Sequence, residues 1–296
     1  MTYTVVLLSI LAVFAAAFII IWVLAIRNDR WSFPKPIELA IGFTTNFFDA
    51  LGIGSFATTT SLLKLWHLVP DQDIPGTLNV GITIPGIVEA FIFISIVRVE
   101  PTTLVLLIVA AVAGAWFGSG IVARWPRRNI QIGMATALLI AATLFSLSNL
   151  RLFPSGGTAL ELHGGRLWFA VAANFCLGAL MTLGIGLFAP CMILVSLLGM
   201  NPIAAFPIMM ASCAFLMPVA SVRFIQYRRY ALRPAIALTL AGVPAVLIAV
   251  SLVKALPLIW LRWLVVVVVT YAATSMLRSA LTDQRVSTLE ATIAST

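Results

Sequence analysis

Asp49 and Glu89 are acidic residues set inside long apolar runs. A carboxylate at the centre of a bilayer costs roughly 2.5 to 3.5 kcal/mol on insertion scales, so it is retained for a reason, and the chemistry it offers is carriage of a proton. Close to Asp49 stands Leu51-Gly52-Ile53-Gly54, followed by Ser55 and Thr58; the same quartet returns as Leu183-Gly184-Ile185-Gly186, followed by Pro190 and Cys191. Hydroxyl residues or a proline just past a glycine break predict the first turn of a helix, where the missing N–H of proline costs nothing. The unsatisfied N–H groups and the positive dipole end of such a turn favour an anion. Two of them facing each other make an oxyanion site to which Ser and Thr hydroxyls add hydrogen bonds without fixed charge.

The candidate binding residues are therefore Gly52, Gly54, Ser55 and Thr58 at the first break and Gly184, Gly186 and Cys191 at the second. Asn46 and Asn174 precede the two breaks, and Asn79 stands with Thr77 and Thr83 just beyond Pro75; these face the cavity or brace the helices by hydrogen bonds. Asp49 and Glu89 are the proton-coupling candidates. Competing readings remain open. Asp49 caps or braces the turn, Glu89 pairs with Arg98 or faces a wet vestibule, the hydroxyls bond back to carbonyls of their own helix, and the glycines serve close helix packing. Cys191 and Cys213 read more simply as small buried hydrophobes.

These residues need elements to hold them, and the elements come in two sets. The quartets lie 132 residues apart, as do Pro75 and Pro207, and Ala141-Ala142-Thr143 returns as Ala272-Ala273-Thr274. The chain is 61% hydrophobic and 9% charged with mean hydropathy +1.09, a composition of integral membrane proteins. A span needs about 20 apolar residues, which predicts spans at 4–26, 74–97, 101–124 and 127–149, then 202–225, 231–253 and 258–280. Residues 37–68 and 167–200 are too long for one crossing and short for two. A pair of short helices meeting at the glycines, entering and leaving on one side, satisfies the length, provided the broken backbone is buried in protein or lines a cavity.

Charge sets the orientation. The net charge of +8 sits in short clusters between apolar runs, which argues for topology signals and against nucleic acid. Arg27, Arg30 and Lys35 place the loop before the first hairpin inside, as do Arg124, Arg127 and Arg128 four elements on. In the second unit the cluster is Arg223, Arg228, Arg229 and Arg233, one helix earlier. That shift predicts opposite orientations for the two units. The expected architecture is an all-α polytopic membrane protein with two inverted repeats. Each repeat is a glycine-broken hairpin followed by three transmembrane helices, and one extra N-terminal helix precedes both. Residues 1–35 hold that helix and a cytoplasmic loop, 36–149 the first repeat, 150–166 an extracytoplasmic linker, 167–281 the second repeat and 282–296 a cytoplasmic tail. The N-terminus lies outside and the C-terminus inside.

Gly42 with Asn46-Phe47-Phe48-Asp49-Ala50-Leu51-Gly52-Ile53-Gly54, and its counterpart Asn174 to Gly186, resembles the duplicated Gly-rich signature of the sulfite exporter TauE/SafE family, also called the toluene sulfonate uptake permeases. The resemblance covers residues 37–280 and departs from the family in Ser55 and Leu187, where its glycine run is usually richer, and in the extra first helix. It implies passage of sulfite, an organosulfonate or a related small anion across a bacterial cytoplasmic (inner) membrane. The partners it implies are the anion, the lipid bilayer and a coupling proton, with a homo-oligomer compatible. No cofactor or metal is expected: no His lies in a span, no His-Glu motif occurs, and Ser55 lacks the partner a nucleophile needs, which argues against an enzyme. An anion channel and a non-transporting scaffold are the other readings.

Overall fold

The computed structural model describes residues 2–29, 32–51, 54–96, 99–152, 157–184, 186–201 and 204–252, with isolated pieces between 266 and 281. The expected span 258–280 and the tail 282–296 therefore lie largely or wholly outside the described residues, as does Arg98. Among the residues described through 252, ten α-helices follow one another: α1 (Thr2–Ile26), α2 (Pro36–Ala50), α3 (Ser55–Leu65), α4 (Ile74–Ile96), α5 (Pro101–Val122), α6 (Arg127–Asn149), α7 (Gly164–Met181), α8 (Phe188–Leu197), α9 (Ala205–Gln226) and α10 (Leu232–Leu252). Among the described residues the one β feature is an isolated bridge between Ala159 and Met200.

Six of these helical stretches are long and apolar enough to cross a membrane: Tyr3–Ile26, Asp71–Ser95, Pro101–Val122, Gly164–Met181, Ala205–Gln226 and Leu232–Ser251. The chain is an all-helical, multi-pass membrane protein. The two stretches that length alone could not assign are each two helices with a break at the glycines: α2 and α3, then α7 and α8. Their arms are unequal. At about 1.5 Å per residue, α7 with 18 residues reaches about 27 Å, close to the thickness of a hydrocarbon core, whereas α8 has 10 residues.

Side-chain contacts show where the hairpins open. The start of α2 is tied to the start of α10, where Arg233 and the buried Glu38 approach to 2.9 Å. The end of α3 is tied to the start of α6: Lys64 lies 2.6 Å from Asp71, whose carboxylate also accepts from Gln131 at 2.8 Å and lies 3.7 Å from Arg127. Both arms of the first hairpin thus begin and end at the molecule's basic end. The second hairpin opens at the other end, where Gly157 donates to Met200 beyond α8 and Leu162, just before α7, donates to Thr103 of α5.

The core is built by exchange between the two halves. α2 packs on α10 and α7 on α5, while α4 packs on α9. Small residues permit the close approach. A side chain at Gly178 of α7 would collide with the backbone of Ala111, and one at Gly42 of α2 would meet the backbone of Ala237 and Leu238 at 2.9 Å.

Candidate functional site

The first break is shaped by Gly54, which takes φ 85° and ψ 130° as the residue before α3. An L side chain disfavours that conformation and glycine does not. The turn brings the end of α2 over the start of α3, so that Asp49 reaches the helix terminus. Its Oδ1 accepts the Ser55 N–H at 2.8 Å and its Oδ2 accepts the Ser55 hydroxyl at 2.6 Å. A carboxylate at a helix N-terminus complements both the orphan donors and the dipole. Thr58 turns back on its own helix, donating to the carbonyls of Ser55 at 2.9 Å and Gly54 at 3.2 Å. The first N–H of this terminus is satisfied from within.

The second break differs. Gly184 supplies the left-handed residue with φ 102°, and α8 begins after Leu187, whose own side chain gives it no cap. Pro190 sits in its first turn, and at the register position of Asp49 stands Met181. Among the described residues the start of α8 thus has no acid in the place that Asp49 takes at α3, and its positive end is not neutralised in that way.

Gly54 and Ser55 of one break and Gly186 and Leu187 of the other line a single cavity of about 30 Å³, room for about two waters. Asp49 and Glu89 line it as well. Glu89, on α4, is 2% exposed, and its Oε1 has no hydrogen-bond partner among the described residues. The rest of the wall is soft and apolar, with Met181, Met210, Met217 and Cys213. The cavity therefore joins a carboxylate committed to a helix cap, a second carboxylate without commitment, and an uncapped helix start.

The remaining candidates stand elsewhere. Asn46 is fully buried and donates to the Gly42 carbonyl at 2.7 Å, filling the place opposite Gly242. Asn174 donates to the Leu107 carbonyl at 2.6 Å and to Ser212 at 3.3 Å, tying α7 to α5 and α9. Asn79 donates to the Pro75 carbonyl at 2.8 Å. Cys191 is buried in α8, and neither it nor Gly184 is among the cavity-lining residues. Gly52 lies outside the described residues. Gly86, Met210 and Met217 line the wall without having been singled out from the sequence. Their signal is a proline inside each of the two central helices, Pro85 in α4 and Pro218 in α9, beside Gly86 and Met217. Among the described residues no group of three or more His, Cys, Asp or Glu is placed to hold a metal.

Residues 2–145 match the family described as Sulfite exporter TauE/SafE. The resemblance carried by the glycine hairpins is borne out over that segment, which holds the first hairpin, Asp49 and Glu89. The match begins at residue 2, so the first helix, set apart above as a departure from the family, is part of the matched segment. No curated protein matches the chain.

Proposed function

We propose that the chain as a whole is a secondary transporter of the sulfite exporter kind, moving sulfite, an organosulfonate or a similar small anion across the cytoplasmic membrane, together with a proton carried by Glu89. The observation that carries this reading is the cavity in which both glycine breaks meet two carboxylates. Two inverted repeats account for it: hairpins opening at opposite ends put their breaks side by side at mid-depth, where transporters of this build place their substrate. The uncapped start of α8 supplies the donors, and Asp49, held by Ser55, keeps the first hairpin closed. Anion and proton then move in the same direction, because the neutralised Glu89 admits the anion and the ionised one repels it.

Gly186 gives a test, since it lines the cavity and a Cβ there would meet nothing within 4 Å. In proteoliposomes, Gly186→Leu is expected to fold normally and lose saturable flux of the transported anion. Wild-type flux should rise as pH falls, and Glu89→Gln should remove that dependence while Asp49→Asn, which keeps an acceptor for Ser55, leaves it in place. Flux of sulfite, taurine and acetate identifies the substrate class. A non-transporting scaffold is the second reading, favoured by the small volume of the cavity. Absence of flux for every anion under every gradient, with the protein folded, would establish it.

A further inference from the structure

A second concave surface lies apart from the central cavity. Between α1, α5 and α9 runs a groove of about 520 Å³, walled by apolar side chains such as Leu7, Phe14, Ile108 and Phe215. It extends along α5 from Val105 to Phe117, about 18 Å at about 1.5 Å per residue. One face of α9 carries Phe215, Val219 and Arg223 at every fourth residue and runs on to Tyr227 at its C-cap, and α5 carries Ile108, Val112, Trp116 and Gly120 at the same spacing, with Arg124 just past its end. On both helices the apolar positions give way to arginine at the molecule's basic end.

That end is built for a negative group. The Arg223 guanidinium lies 3.7 Å over the Trp116 ring, and its Nε is buried with no hydrogen-bond partner among the described residues. Arg124 donates to the Tyr227 hydroxyl at 2.8 Å, one turn further on. One turn beyond Trp116 and one before Arg124, a Cβ at Gly120 would meet nothing within 4 Å, so α5 leaves open space there. An arginine at the edge of the hydrocarbon region gains from an anionic partner, and an acyl chain is the form of matter that a membrane supplies to an apolar groove.

We infer that this groove holds one acyl chain of an anionic phospholipid, with the phosphate in the space beside Gly120 and against Arg223 and Arg124. The bound lipid fastens α1 to α5 and α9; this site is independent of the anion path and of any transport reading. Ordinary annular lipid would fill the groove without regard to headgroup, so headgroup preference is the distinguishing property.

The test is native mass spectrometry of the purified full-length protein with phosphatidylglycerol and phosphatidylcholine of identical acyl chains. Retention of phosphatidylglycerol is expected to exceed that of phosphatidylcholine roughly thirtyfold, the increment of two nearby arginines at about 1 kcal/mol each, and the preference should fall about fivefold in Arg223→Gln. Gly120→Leu places its Cβ in open space and projects a bulky group there, so it decides the matter if Arg223→Gln does not fold. Equal retention of the two lipids, or a preference unchanged in Gly120→Leu, overturns the site. So does retention of inorganic phosphate alone at the same affinity, or self-crosslinking through a cysteine at Val109, which would make the groove a contact between two copies.

Discussion

At the scale of single residues, the two halves differ most in how they treat a helix start. Asp49 caps α3, α8 has no such acid, and α5 has a cap of its own: Glu100 accepts the N–H groups of Thr103 at 2.7 Å and Thr102 at 2.9 Å. Burial works against the Glu100 carboxylate, but those donors prevail and hold it down at about 2, below its ordinary 4.5. A group depressed in the folded state contributes stability that is complete above its unfolded pKa and lost as pH falls through the folded one. Glu100→Ala is therefore expected to cost about 1 kcal/mol near neutrality and to match the parent more closely as pH falls from about 4.5 toward about 2. Thermal unfolding across that range checks this; a gap between variant and parent that is constant with pH would show that charge plays no part.

At the scale of elements, packing rests on backbones brought close by glycine. α5 presents Gly114 and Gly118 to Phe175 and Ala179 of α7, and α7 presents Gly178 to Ala111. No hydrophobic drive joins helices in lipid, so this contact supplies the dispersion energy that holds the second hairpin. Gly178→Val must push α5 and α7 apart and is expected to lower stability by about 1 to 3 kcal/mol. Gly120→Ala, on the same helix as Gly114 but facing open space, should leave stability unchanged or raise it by up to about 1 kcal/mol. Equal melting of the two variants would refute the packing argument. Of the elements themselves, the sequence places α4 to α6 within two residues of their observed bounds, because charged and proline punctuation marks their ends. It misjudges the start of α9, expected at 202 and found at Ala205, and it does not foresee the unequal arms, since a glycine break marks where a helix stops and not how deep it sits.

At the scale of the whole molecule, contacts sort into two ends. One gathers Asp29, Glu38, Asp71, Arg124 and Arg233, and the other joins Glu100 to Leu160 and Ala159 to Met200. The positive-inside rule expects the basic end on the cytoplasmic side; on that expectation a single cysteine at Arg128 should react with an impermeant maleimide only from the cytoplasmic face. One at Glu161 should react only from the outer face. Both are made in a background without Cys176, the exposed native thiol. Labelling of both from one face would refute the orientation.

The sequence by itself determined the medium, the helical class, the two breaks and the family resemblance, because composition, span length and glycine spacing are local quantities that a bilayer reads directly. It named Asp49, Gly54, Ser55, Glu89 and Gly186, five residues that line one cavity. Tertiary structure alone decided what each does there. Whether Asp49 reaches Ser55, whether Asn46 and Asn174 brace helices or face the cavity, and which methionines complete the wall depend on how two halves more than a hundred residues apart pack against each other. No local pattern encodes that distance.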